Sequence, residues 1–169
     1  MAGQKKNSRP RVPTHNKGIE RLNGVLAADL HQGKTFFEAL AHSKSGDIAL
    51  YLSTIACDYA EWGYRKLYIW LDNYAGHKKQ MRAELNQIMA EVRVNIEVQV
   101  CYFPAYSPAL NPVEYLIHKV RQRYLHHAPA KRNIAAITQE LMDRINRKLW
   151  SSAREMNNLL RHIQTLIKE

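Results

Sequence analysis

Cysteine is nearly absent: Cys57 and Cys101 are the only two in 169 residues, and neither belongs to a Cys-x-x-Cys pair or has a partner at short spacing. That excludes a disulfide framework and a zinc ribbon, and makes a reducing cytosol the expected compartment. Long apolar runs are missing as well. No stretch approaches the roughly 18 consecutive apolar residues of a membrane span. Residues 1–21 are polar and basic with no apolar segment behind them, so neither secretion nor membrane insertion is expected. Acid is in short supply, with 15 Asp and Glu against 25 Lys and Arg and a net charge of +10 at pH 7. An imbalance of that size argues against a neutral housekeeping role and for a polyanionic partner, nucleic acid first. The remainder, 46% apolar and 24% charged residues in 19.6 kDa, fits one compact domain with an extension and suffices to bury a core.

The charge is concentrated at the two ends. Residues 1–21 hold six basic residues against one acid, residues 22–114 eight against ten, and residues 115–169 eleven against four. A basic end taken alone is often only a solvated face. Two of them around a near-neutral middle point to phosphate-contacting arms on a centre of another kind. The candidate contacts are Lys5, Lys6, Arg9 and Arg11 at one end and Lys119, Arg121, Arg123, Lys131 and Arg132 toward the other. Such arms predict salt-sensitive, sequence-tolerant binding to double-stranded DNA.

Residues 1–17 mix Gly, Ser, Asn and two prolines, Pro10 and Pro13, with their basic residues and read as a flexible arm. Residues 22–28 and 35–40, separated by a turn containing Gly33, predict a hairpin. Over residues 45–62, Ile48, Leu52, Ile55, Tyr59 and Trp62 recur at helical spacing, with Gly63 as C-terminal cap. The apolar pentamer 67–71 is too short for a free-standing helix and reads as a strand buried on both faces, running straight into Asp72. Met81, Leu85, Ile88, Met89 and Val92 mark one helix face, and Val94, Ile96, Val98, Val100 and Tyr102 alternate as a half-buried strand. Pro104, Pro108 and Pro112 then break the chain into a loop, and three helical patterns follow over residues 113–124, 134–149 and 156–167. This order is that of an α/β layer around a mixed sheet.

In such folds ligands and metals gather at the carboxyl ends of buried strands, where Asp72 stands. Asp72 equally suits a turn or the N-cap of the next helix. Glu114 has a plain structural role open to it as well: with Asn111 as N-cap and Pro112 at the first helical position, it falls third, where a glutamate closes a capping box. Position alone leaves ligand and cap both open.

Two segments taken together favour one side. Asp72-Asn73-Tyr74-Ala75-Gly76-His77 and, later, Tyr106-Ser107-Pro108-Ala109-Leu110-Asn111-Pro112-Val113-Glu114 resemble the second half of the catalytic domain of mariner-type insertion-sequence transposases. The pattern Tyr-Ser-Pro-x-Leu-Asn-Pro-x-Glu specifies seven of nine positions and is a strong signal, whereas Asp-Asn-x-x-x-His alone is weak. The resemblance runs from about Arg21 to about Leu149. It implies a ribonuclease-H-like fold, a mixed sheet flanked by helices, and an Asp/Asp/Glu site holding two divalent ions, Mg²⁺ or Mn²⁺. On it, Asp72 matches the second catalytic aspartate and Glu114 the catalytic glutamate, both as metal ligands. Asn73, His77, Tyr106, Ser107, Asn111 and Pro112 match the motif residues around them. Read alone, His77 suits a surface or capping role and Asn73 a turn. The implied chemistry is DNA strand cleavage followed by attack of the freed 3′-hydroxyl on target DNA, with two metal ions roughly 4 Å apart neutralising charge and activating the attacking oxygen. The implied partners are the element ends and target DNA and a second copy in a homodimer, at the nucleoid in the bacterial cytoplasm.

The departures shape the expectation. The strand that carries the family's first catalytic aspartate precedes the hairpin, and here that position holds the basic arm or lies before Met1. Asp29 stands at the hairpin turn, and Asp47 and Asp58 on the first helix, so none is where that residue would be. The family's N-terminal helix-turn-helix is absent too. Ala105 replaces a common second proline, Ile117 stands where an aromatic residue often follows the glutamate, and 41 residues separate Asp72 from Glu114, a rather long interval. The expected organisation is a basic flexible arm over 1–20, a partial ribonuclease-H-like catalytic domain lacking its first strand over 21–128, and a C-terminal helical extension over 129–169. Catalysis would need an upstream segment that supplies the first strand and its aspartate. Without it, the strands at 22–28 and 67–71 would each lack a neighbour. The alternative is a non-catalytic, basic DNA-binding remnant of a transposase whose carboxylates serve only as caps.

Overall fold

The alternating residues on either side of Gly33 form a hairpin: β1 (Asn23–Asp29) and β2 (Lys34–Leu40) pair antiparallel, from Asn23 opposite Leu40 to Asp29 opposite Lys34. The computed structural model describes residues 22–40, 42–72, 78–105, 107–122, 133–147 and 153–168. The hairpin turn closes where Gly33 takes φ 64°, a left-handed conformation that costs glycine little. Asp29 Oδ1 accepts the His31 and Gln32 amides there at 2.8 and 3.0 Å. Helix α1 (Ser45–Glu61) begins where the Asp47 carboxylate accepts the Lys44 amide at 3.1 Å, and it stops just before Gly63 at φ 89°. After it come β3 (Lys66–Leu71), α2 (Lys78–Val92), β4 (Glu97–Tyr102), a 3-10 turn (Pro108–Leu110), α3 (Pro112–Val120), α4 (Ile134–Asn146) and α5 (Ala153–Lys168). The element order is the expected one. Tyr124 and Leu149, expected at helix ends, lie outside the described residues. Among the described residues, no helix is long and apolar enough to cross a membrane.

The strands do not share one sheet. Instead of a single mixed sheet there are two of two strands each: β1–β2, antiparallel, and β3–β4, parallel with Lys66 opposite Glu97 and Leu71 opposite Tyr102. The physical reason is pairing: among the described residues no strand lies on the second edge of β1 or of β3, so nothing joins the two sheets through hydrogen bonds.

Packing joins them instead. Ala49, Leu52, Ile55 and Tyr59 of α1 form one core with Met81 and Leu85 of α2 and Val100 of β4. Val25 and Ala27 of β1, Phe36 of β2 and Leu67, Ile69 and Leu71 of β3 pack against it. A second core gathers Leu116 and Val120 of α3, Leu141 and Ile145 of α4, and Met156 of α5, against which Leu26, Ala28 and Phe37 of the hairpin pack. Strand alternation sends Val25 and Ala27 to one core and Leu26 and Ala28 to the other. In β3 it corrects the reading of a strand buried on both faces. Tyr68 and Trp70 are 53% and 55% exposed, because the core around α1 covers only the Leu67–Ile69–Leu71 side.

Candidate active site

Because β3 and β4 run parallel, their carboxyl ends open at the same end of the sheet, and the Phe103 amide still bonds the Leu71 carbonyl at 2.9 Å. Asp72 is the first residue beyond β3 and is exposed. The proline loop leaves β4 beside it, with the Phe103 ring 5.5 Å from that of Trp70. Ser107 Oγ donates to the Ala105 carbonyl at 3.3 Å, a bond within its own loop. The chain then tightens into the 3-10 turn, where the Asn111 amide donates to the Pro108 carbonyl at 3.0 Å.

Helix α3 starts from that turn with its cap already made. Asn111 Oδ1 accepts the Val113 amide at 3.0 Å, and Pro112 holds the first helical position, where a missing N–H loses no bond. Glu114 is third, yet no capping box forms: its carboxylate is exposed and makes no hydrogen bond within the described residues. The helix N-terminus favours an anion there. The next residue, Tyr115, donates its hydroxyl proton to the Ala109 carbonyl at 3.2 Å. The same hydroxyl lies 3.1 Å from His162 Nε2 on α5, with the two rings edge to face at 5.7 Å. Neither Tyr115 nor His162 stands out in the sequence, since a contact across 47 positions leaves no local spacing to read.

A family model for the DDE superfamily endonucleases matches residues 2–136. The chain belongs to that family. No curated protein and no solved structure matches it. A DDE endonuclease domain implies a DNA substrate, and the superfamily typically works with divalent metals. Asp72 and the whole 106–114 segment fall inside the match, whereas α5 lies beyond it.

Of the aspartates upstream of Asp72, Asp29 and Asp47 already accept hydrogen bonds, and Asp58 sits on α1. Asp29 accepts from the Tyr59 hydroxyl and from two turn amides. Asp47 holds the start of α1. Asp58 lines a cleft of about 400 Å³ between α1 and β2, where burial, then the charge of Glu61, holds its carboxyl above the ordinary aspartate range. Asp72 and Glu114 are hard oxygen donors of the kind that holds Mg²⁺ or Mn²⁺. Their chemistry fits a divalent cation, but no group of three or more His, Cys, Asp and Glu side chains gathers among the described residues. Asn73, His77 and Tyr106 lie outside the described residues, as do Lys5, Lys6, Arg9, Arg11, Arg123, Lys131 and Arg132. Lys119 pairs with Glu155 of α5 at 2.9 Å, and Arg121 is exposed just past the end of α3.

Proposed function

We propose that this chain is the C-terminal part of a mariner-type transposase, cutting and joining DNA strands with a divalent cation held by Asp72 and Glu114. The observation that carries the reading is the Glu114 carboxylate, exposed at the third position of α3 while Asn111 does the capping. A glutamate serving only as a cap would reach back to the Asn111 amide. The ribonuclease-H-like domain is completed by an upstream segment. One strand lying between the second edges of β1 and β3, which pair with no strand among the described residues, would join the two sheets, and an aspartate on it would bring the third carboxylate. When bound, Mg²⁺ or Mn²⁺ neutralises charge at the attacked phosphodiester and activates the attacking oxygen. Asp72 and Glu114 supply the anionic oxygens that hold it, with Asn73 and His77 beside Asp72 in sequence. Basic residues of the two ends grip the phosphate backbone of element and target DNA, in a homodimer at the bacterial nucleoid.

Titration of Mn²⁺ into the chain and into Asp72→Asn and Glu114→Gln tests this reading. Each variant loses an anionic oxygen and binds more weakly. Glutamine also closes a capping box, so unchanged affinity in Glu114→Gln would return that residue to a cap. Unchanged affinity in both variants would favour the non-catalytic DNA-binding remnant.

A further inference from the structure

Nothing in its own hydrogen bonds fixes the direction of the Glu114 carboxylate within the described residues, so its aim depends on the backbone that carries it. That backbone is pinned on both sides. Asn111 caps the helix before it, and the Tyr115 hydroxyl after it bonds back to Ala109, closing the short span between them into a loop. That one oxygen lies within hydrogen-bond distance of both the Ala109 carbonyl and His162 Nε2, so it ties the turn to the ring. His162 sits on α5, which is docked independently by the buried Met156 and by Glu155 on Lys119.

Resting on the reading of Glu114 as a cation ligand, we infer that the Tyr115–His162 pair is its positioning device, and that α5, beyond the family match, is the support against which Glu114 is aimed. The pair does not touch the cation. It holds the 3-10 turn and the start of α3 at one angle, in the way that outer partners orient metal ligands elsewhere.

Mn²⁺ affinity and melting temperature, measured on the full chain, test the inference in Tyr115→Phe, His162→Phe, His162→Gln and Glu114→Gln. Tyr115→Phe keeps the ring and removes both hydrogen bonds. His162→Phe keeps an aromatic edge without a hydrogen-bonding group, and His162→Gln restores one. The expected result is about tenfold weaker Mn²⁺ binding in Tyr115→Phe and His162→Phe, wild-type affinity in His162→Gln, and little change in melting for any of the three. Wild-type affinity in Tyr115→Phe beside a loss in Glu114→Gln would overturn the positioning role while leaving Glu114 a ligand. So would equal losses in His162→Phe and His162→Gln, which would point to packing. Affinity unchanged in Glu114→Gln, or no binding by the wild type, would overturn the reading beneath it.

Discussion

In the β1–β2 sheet both faces are covered, by α1 on one side and by α3, α4 and α5 on the other, whereas β3–β4 has the core on one face and leaves Tyr68 and Trp70 in solvent on the other. Their edges differ as well. On the outer edge of β2, the Asn146 side chain accepts the Phe37 amide at 2.7 Å and donates to the Phe37 carbonyl at 3.0 Å, the paired bonds that a neighbouring strand residue would make. Thr35 Oγ1 donates to the Ile145 carbonyl at 2.7 Å just beside it. An edge meant to remain an edge is thus closed by a side chain. Among the described residues no strand pairs with the second edge of β1 or of β3, and Tyr68 and Trp70 of β3 are exposed. On the proposed reading, these are the surfaces that the upstream segment covers.

The widest separation between the regions should appear in core and surface substitutions. Ile145, fully buried under the hairpin, should cost roughly 2–5 kcal/mol when changed to Ala, while Trp70→Thr on the open face should stay within about 0.5 kcal/mol. Urea unfolding measures both, and similar costs would break the comparison. Next in size is Asn146→Ala, expected to lose about 1–3 kcal/mol and to speed hydrogen exchange at the Phe37 amide without changing exchange in β3. The smallest effect concerns Asp58. Its carboxyl is raised in the folded state by burial, so ionisation works against folding. Asp58→Asn should therefore be slightly more stable than wild type at pH 7. That advantage should shrink as pH falls through the raised value and be gone below the ordinary aspartate range. Thermal melts across pH measure it, and an advantage that grew on acidification would show that the cleft beside β2 does not penalise the charge.

Much of this was legible in the residues themselves. The hairpin around Gly33, the helix ending at Gly63 and the alternation of β4 follow from local chemistry, because turn geometry and side-chain period are decided within a few residues. The pentamer before Asp72 misled for a physical reason. Apolar side chains on both faces say that a strand can be covered twice, whereas actual coverage depends on which helices reach it. The motif marked Asp72 and Glu114, but whether Glu114 capped its own helix turned on a side-chain direction that spacing does not determine. Asn146 on Phe37, and His162 on Tyr115, act across 109 and 47 positions and leave no periodic trace.

The most direct test of the account is Mg²⁺-dependent nicking of plasmid DNA carrying the element ends. It compares the chain alone, the chain with an upstream segment bearing a strand and its aspartate, and the same mixture with Asp72→Asn. The account predicts no nicking by the chain alone, nicking by the mixture, and its loss in Asp72→Asn. Metal-dependent nicking by the chain alone that disappears in Asp72→Asn would contradict it, and would require a third carboxylate from within this sequence.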